Sequence, residues 1–194
     1  MAGSHRSAAA PIEFARAVAS LASCALRPEV VLEEISPPQR LAPWSHAITA
    51  EVELGTDVPA SGRLVLLGDP DSVGAWGGTL RLVTYASTEL DTEMANDPLL
   101  AEVAWSWLVE SLTDKGARYT AAGGTVTQTA SARFGDLAGP AHTVGVEIRA
   151  SWTPLDSDLR PHLSAWADLL CTAAGLPPSG VVSLPGRAGI ARQP

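Results

Sequence analysis

Residues 46–54, His-Ala-Ile-Thr-Ala-Glu-Val-Glu-Leu, carry the pattern that decides the fold class. Apolar residues occupy every second position from Ile48 to Leu54, and the residues between them are polar. Alternate side chains of a β-strand point to opposite faces of a sheet. The segment is therefore predicted to be a strand with one buried face and one solvated face.

Further segments predict strands of the same sheet, which gives five to six strands in all. They lie at residues 30–35, 63–67, 79–86, 119–129 and 142–152. These strands come in runs joined by loops, and such loops are too short for the crossovers that parallel strands require. The sheet is therefore predicted to be mainly antiparallel.

Three segments have the apolar spacing of helices, and proline or glycine residues mark their ends. The predicted helices cover about residues 11–26, 97–114 and 158–174. The element order is helix, strands, helix, two strands, helix. This order predicts an α+β fold with the helices packed on one side of the sheet.

The chain of 194 residues is long enough for one domain with a tail at each end. Residues 1–10 are small and polar, and residues 179–194 are rich in glycine, proline and arginine. Neither segment has apolar periodicity, so both are predicted to be flexible tails. Residues 11–178 are predicted to form a single α+β domain.

The net charge of the chain indicates which classes of partner it can bind. Asp and Glu number 21 against 13 Lys and Arg, which gives a net charge of −8. Nucleic-acid binders and proteins that adhere to anionic membranes usually have a basic face. We therefore expect neither a nucleic-acid partner nor a membrane partner.

The N-terminal segment and the cysteines indicate the compartment. Glu13 and Arg16 interrupt the alanine-rich N-terminal run where a signal peptide needs a continuous apolar core. Cys24 and Cys171 lie among small apolar residues in predicted helices, which is typical of reduced core thiols. The chain is therefore predicted to be cytoplasmic.

No motif of nucleophilic catalysis or zinc binding is present in the sequence. The four histidines, at positions 5, 46, 142 and 162, are isolated, and there is no His-x-x-x-His, Cys-x-x-Cys or Gly-x-Ser-x-Gly motif. The glycine-rich stretches 74–78 and 123–124 are interpreted as a loop and a β-bulge. The sequence predicts no catalytic residues, no cofactor and no metal, although an enzyme remains the alternative.

An acidic run precedes the second predicted helix and consists of Glu89, Asp91, Glu93 and Asp97. Carboxylates that alternate on an extended segment project to one side and suit Mg²⁺ or Ca²⁺. The competing interpretation is a solvated linker, because negative charge is also favourable before a helix N-terminus. The linker interpretation is preferred.

Six tryptophans are the most informative residues for function, and Trp105 is the most unusual of them. In the second predicted helix, Leu100, Trp107 and Leu108 belong to the main apolar face. A second apolar face beside it contains Trp105, Val109 and Leu112. Such a helix must be covered on two sides, either by another helix of this chain or by a partner.

Trp44 and Trp76 fall in predicted loops or at strand ends, where a large ring is half exposed. They join Trp105, Val109 and Leu112 in the candidate protein-binding surface. Alternatively, Trp44, Trp76 and the acidic run 89–97 could surround a pocket for a small molecule or a substrate.

The chain resembles an actinobacterial family, domain of unknown function 3000, over nearly its whole length between the two tails. The resemblance rests on Arg27-Pro-Glu-Val-Val-Leu-Glu-Glu-Ile35, Gln39-Arg-Leu-Ala-Pro-Trp44, Asp91-Thr-Glu-Met-Ala-Asn-Asp-Pro-Leu-Leu100, Trp105-Ser-Trp-Leu108 and Val146-Glu-Ile-Arg-Ala-Ser-Trp-Thr-Pro154. It implies a small cytoplasmic protein without an established activity, and it supplies no catalytic residues.

The element order also resembles the architecture of type III secretion chaperones and their housekeeping relatives. Those proteins are small, acidic and usually dimeric, and they bind peptide segments without chemistry. The present chain departs from them in having four predicted strands after the first helix, where they have three. The likeness concerns architecture alone, which is a weak basis for function.

Three functions follow from these observations. The first is a non-enzymatic protein-binding or chaperone-like module, whose partner is another protein or a second copy of the chain. The second is a small enzyme or small-molecule-binding protein. The third is an accessory factor in RNA processing, which would need a basic patch that the composition disfavours.

Overall fold

The computed structural model describes residues 10–55, 57–90, 97–136 and 142–177, apart from the side chains of Val58 and His142. Its centre is one antiparallel sheet of six strands in the order β1-β2-β3-β4-β6-β5. The strands are β1 (Val30–Ile35), β2 (Trp44–Leu54), β3 (Asp57–Gly68), β4 (Leu80–Leu90), β5 (Tyr119–Ala132) and β6 (His142–Pro154). The α+β class and the antiparallel sheet are confirmed.

The structure has four helices among the described residues where the sequence predicted three. They are α1 (Ile12–Ala22), α2 (Val73–Trp76), α3 (Leu100–Asp114) and α4 (Arg160–Ala173). Helix α2 overlaps residues 74–78, which were interpreted as a loop. It is a single turn that ends at Gly77 with φ of 76°, and one turn is too short to produce an apolar periodicity.

All three predicted helices are shorter in the structure, and the differences are largest at the end of α1 and at the start of α3. Helix α1 ends at Ala22 because the carbonyl oxygen of Ser20 accepts hydrogen bonds from both the N–H and the hydroxyl of Ser23. Before α3, the carboxylate of Asp97 accepts a 2.8 Å hydrogen bond from the N–H of Leu99. Asp97 therefore caps a turn that precedes the helix, which itself begins at Leu100.

The main core lies between the sheet and the layer formed by α1, α3 and α4. Trp152 and Trp166 are completely buried in it, as predicted from their positions on apolar faces. Helix α4 approaches β3 at Gly62, where an added Cβ would lie 2.9 Å from Cζ2 of Trp166. A side chain at position 62 would therefore force the helix away from the sheet.

The opposite face of the sheet has only a small apolar cluster of Ala47, Val65 and Leu67. Ile35, Ala42, Trp76 and Val83 pack against this cluster, so the loop after β1 and helix α2 cover one end of the face. Beyond them, Arg63, Tyr85 and Arg149 are exposed. We call this side of the sheet the open face.

Candidate binding surface

Three side chains form a row across the centre of the open face. Arg63 of β3 is paired in register with Tyr85 of β4, and Tyr85 is paired with Arg149 of β6. Residues that are directly opposite on adjacent strands point to the same face. The strand register alone therefore places two guanidinium groups on either side of one phenol ring, and we call Arg63, Tyr85 and Arg149 the arginine row.

The arginine row continues across the other strands with hydroxyl groups. Thr49 of β2 lies opposite Arg63, and Thr125 of β5 lies opposite Arg149. Threonine hydroxyls both donate and accept hydrogen bonds. The centre of the open face can therefore contact an anionic group through two cations and through hydroxyl donors beside them.

The neighbouring rows differ in chemistry on the two sides. On one side of the arginine row, two residues along each strand, is an apolar row of Ala47, Val65 and Val83. Two positions in the other direction lies a polar row of Glu51, Ser61, Ser87 and Glu147. Alternate residues of a strand are about 6.7 Å apart. Between these two neighbouring rows, the positive charge at the centre of the open face lies in a single row.

The arginine row forms the floor of an open cleft of about 410 Å³. Pro38 lines one side of the cleft, and Gly123, Gly124 and Thr125 of β5 line the other. A second depression of about 380 Å³ shares Arg63 and Tyr85 with it. Both depressions are open to solvent, which suits a chain segment lying on the sheet better than an enclosed small ligand.

The arginines of the open face are not equivalent. Arg149 forms a 2.6 Å ion pair with Glu147. Arg81 donates hydrogen bonds to Ser151, Thr153 and the carbonyl oxygen of Ala121, and its partial burial lowers its pKa. By contrast, the Arg63 guanidinium has no ion-pair or hydrogen-bond partner among the residues that the structure describes. Arg63 is therefore a cation available to a ligand.

Strand β5 forms the wall of the cleft because of a local irregularity. The register between β5 and β6 shifts between Thr120 and Gly123, and Ala121 adopts a positive φ of 50°. The sequence predicted a β-bulge at residues 123–124, whereas the irregularity lies immediately before them and both glycines pair regularly with β6. At Gly124, an added Cβ would overlap the carbonyl oxygen of Arg149 and would lie 2.8 Å from Cζ3 of Trp105.

Comparison with known proteins gives one match, which covers most of the chain. The model of the family described as "Protein of unknown function (DUF3000)" matches residues 10–182. The chain belongs to this family. The resemblance drawn from the sequence segments is thereby confirmed, and the matched range includes every strand of the sheet.

Neither of the other comparisons adds a relative. No curated protein matches the chain, and no solved structure matches it. The likeness to secretion chaperones therefore stays a prediction from element order. Membership of the family assigns no role to the arginine row, whose interpretation depends on the geometry alone.

The predicted interface on α3 is largely occupied within the chain. Leu112 is completely buried in the core. Trp105 is half buried, and its ring lies against Gly124 of β5. Val109 is also half buried. The cover over Trp105 is thus a strand of the same chain, whereas the alternatives drawn from the sequence were a helix or a partner.

Trp44 and Trp76 lie on different faces of the sheet. Trp44 packs against the main core and lines a small recess of about 60 Å³ together with Phe14. Trp76 packs against the cluster of Ala47, Val65 and Leu67 on the open face. The structure therefore does not bring the two rings into one site.

The acidic run is also remote from Trp76. Helix α2, which ends at Trp76, precedes β4, and Glu89 lies at the far end of that strand. Eleven residues of strand span about 35 Å. Asp91 and Glu93 lie outside the described residues. Within the described ranges, no group of three or more His, Cys, Asp or Glu residues could hold a metal ion.

One polar contact in the core was not foreseen. His162 is 1% exposed, and its Nδ1 accepts a 3.1 Å hydrogen bond from the indole N–H of Trp152. Burial lowers the pKa of His162 to about 4, so the imidazole is neutral at pH 7. The sequence placed His162 in the first turn of the last helix, but only the packing of that helix on β6 creates the contact.

The remaining histidine and cysteine side chains lie away from the arginine row. His46 is mostly buried, and its Nδ1 lies 3.5 Å from a carboxylate oxygen of Glu34. Burial raises the pKa of the Cys171 thiol, which keeps it protonated. Cys24 is half buried, with its sulfur 3.4 Å from the hydroxyl of Ser164.

Proposed function

We propose that this chain is a non-enzymatic protein-binding module and that the arginine row recognises a carboxylate on an extended segment of a partner protein. The observation that carries the proposal is the exposed and unpartnered Arg63 beside Tyr85, with Arg149 on the other side of the ring. No comparison assigns this surface a role, so the argument depends on charge and geometry.

The charge of the chain makes this cation informative. The chain has 21 acidic residues and 13 basic ones, so carboxylates are in excess as ion-pair partners for its arginines. An arginine without such a partner is therefore informative. Complementary charge on a partner steers the encounter and selects the partner. A guanidinium also binds a carboxylate through two parallel hydrogen bonds, which adds directional specificity.

The spacing of the rows favours an extended segment. Alternate side chains of an extended peptide are about 6.7 Å apart, which equals the distance between rows of the sheet. If a bound peptide runs along the strands with its carboxylate at Arg63, the peptide side chain two residues further on lies near Val65 and Val83. The preferred segment therefore has an acidic residue and an apolar residue separated by one position.

The composition of the cleft supports binding over catalysis. The polar side chains that face the cleft are Arg63, Arg149, Tyr85 and the hydroxyls of Thr125 and Ser151. General acid–base catalysis requires a group whose pKa lies near the working pH, most often a histidine or a carboxylic acid. The lining residues of the cleft include neither type.

The same surface disfavours nucleic acid. Glu51 and Glu147 lie one row from the arginines, and Glu147 already pairs with Arg149. A strand of phosphates would have to pass these carboxylates, whereas a single carboxylate side chain would not. We therefore expect RNA to bind this surface more weakly than an acidic peptide does.

A direct binding titration tests the proposal. The probe is a fluorescein-labelled decapeptide in which glutamate and leucine recur with one residue between them, compared with the same peptide carrying glutamine for glutamate. We expect saturable binding of the acidic peptide only. A labelled single-stranded RNA of ten nucleotides is the competitor, and tighter binding of that RNA would contradict the proposal.

Substitutions locate the binding site. Loss of a hydrogen bond to a charged group costs about 1.5–3 kcal/mol, so Arg63→Gln should weaken binding by about tenfold or more. Arg16→Gln is the matched control, because Arg16 is exposed on α1 in the helical layer. Equal affinities of the two variants would remove the arginine row as the site.

A further inference from the structure

Among the strands that the structure describes, β5 forms one edge of the sheet and pairs on one side, with β6. An edge strand presents unpaired backbone N–H and C=O groups to solvent, and these groups can pair with another strand. Proteins protect such edges with short strands, charged side chains, proline, bulges or covering elements. The two edge strands of this sheet, β1 and β5, differ in how many of these protective features they have.

The edge at β1 is protected. It has only six residues, and two of them are Glu33 and Glu34. Both glutamates are exposed. A second strand approaching β1 would have to accept their charges, so this edge resists pairing.

The edge at β5 is unprotected beyond its bulge. From Gly123 to Ala132 the strand has ten residues without a charge or a proline, Gly-Gly-Thr-Val-Thr-Gln-Thr-Ala-Ser-Ala. Its register with β6 runs without interruption from Gly123 to Ala132. All of these residues except Val126 are exposed.

We propose that β5 pairs antiparallel with β5 of a second copy of this chain, about a two-fold axis that passes near Thr127. A closed two-fold contact uses the same segment twice, so that segment must be complementary to itself. The neutral β5 segment meets this condition. The axis places Thr127 opposite Thr127 and Thr125 opposite Thr129, and cross-strand threonine pairs stabilise sheets.

The charges that flank this segment support a second copy as the occupant. Antiparallel pairing brings the end of the segment that is preceded by Arg118 towards the end of the other copy's segment that is followed by Asp136, and both residues are exposed. Within one copy, the Arg118 guanidinium has a long 3.7 Å contact with Asp156. A strand pair of this length supplies about ten main-chain hydrogen bonds, which is typical of a specific interface.

Pairing at β5 would join the open faces of the two copies. The resulting sheet has twelve strands, because each copy contributes six. Thr125 both lines the cleft and belongs to the paired segment, so the two clefts lie next to each other across the axis. The pairing does not depend on what the arginine row binds.

Sedimentation velocity of the full chain tests the pairing. We expect the wild type to sediment at twice the monomer mass at micromolar concentrations. Thr127→Lys and Thr127→Glu should each be monomeric, because like charges would then meet across the axis. An equal mixture of the two variants should regain the dimer, since lysine of one copy then meets glutamate of the other.

Thr113→Lys is the matched control, because Thr113 is exposed on α3 and away from the edge. It should remain dimeric, and circular dichroism should show all variants folded. A wild type that stays monomeric at hundreds of micromolar would overturn the proposal. The proposal would also be overturned if both charged Thr127 variants formed dimers. It would equally be overturned if the mixture stayed monomeric while the wild type dimerised.

Discussion

Tyr85 lies directly opposite Arg149 in the pairing of β4 with β6, and the guanidinium carbon of Arg149 is 5.3 Å from the centre of the Tyr85 ring. This distance is within the range of a cation–π contact. The contact holds the side chain of Arg149 across the floor of the cleft, where its charge and that of Arg63 flank the ring. The ring therefore helps to position the cationic surface.

We predict that Tyr85→Ala weakens binding of the acidic peptide more than it weakens the fold. An exposed cation–π contact contributes about 0.5–1 kcal/mol, and the Tyr85 side chain is 37% exposed. Tyr85→Phe keeps the ring and should retain most of the affinity. Titration with the labelled peptide, together with thermal melts, checks both variants. A phenylalanine variant as weak as the alanine variant would show that the hydroxyl group, not the ring, matters.

Gly124→Ala should destabilise the fold by about 1–3 kcal/mol, because the added Cβ overlaps the backbone of β6 and the ring of Trp105. Gly123→Ala is the matched control, because an added Cβ at Gly123 meets nothing within 4 Å. Urea denaturation of both variants measures the difference. Similar stabilities would mean that β5 does not approach α3 closely at Gly124.

Trp105→Ala should destabilise the monomer by about 2–3 kcal/mol, which is less than for a fully buried tryptophan because the ring is half buried. The reason is that β5 of the same chain, rather than a partner, covers one side of the ring. Chemical denaturation at two protein concentrations checks this. If the loss of stability vanished at the lower concentration, the cover over Trp105 would come from another chain.

His162 should make the stability depend on pH between about 4 and 6.5. Its pKa in the folded protein is about 4, below the ordinary value of 6.5, so the unfolded chain binds a proton first as the pH falls. Stability is therefore complete above pH 6.5 and decreases towards pH 4. The expected loss between pH 7.5 and pH 5 is about 2 kcal/mol.

Urea denaturation at these two pH values measures the effect, and His162→Asn is the control. The asparagine oxygen can accept the hydrogen bond of Trp152 but does not titrate, so the loss should disappear. Asp158, with a pKa lowered to about 2, contributes only below about pH 4 and does not confuse the comparison. An unchanged loss in the asparagine variant would assign the pH dependence to other groups.

The strands could be predicted from the sequence because their periodicity is local. The segment 46–54 alternates clearly, and all of it lies within β2. The arginine row could not be predicted in the same way. Arg63 and Arg149 are neighbours of Tyr85 only through the registers of two strand pairs, and the second pair joins segments on either side of helix α3.

The candidate site also shows where apolar patterns are ambiguous. The second apolar face of α3 correctly indicated that Trp105 needs a cover. The sequence could not identify that cover, because a bulge and Gly124 allow a strand to approach the ring. Trp44 and Trp76 were grouped by their exposure alone, although the sheet separates them.

The short acidic strand β1 has a consequence for assembly. A sheet with two open edges could add copies without limit and form a fibre. In this sheet the glutamates of β1 disfavour pairing at that edge, and the proposed pairing of two β5 strands would use the other edge in both copies. Growth would then stop at two chains, and the carboxylates of β1 would prevent further addition of copies.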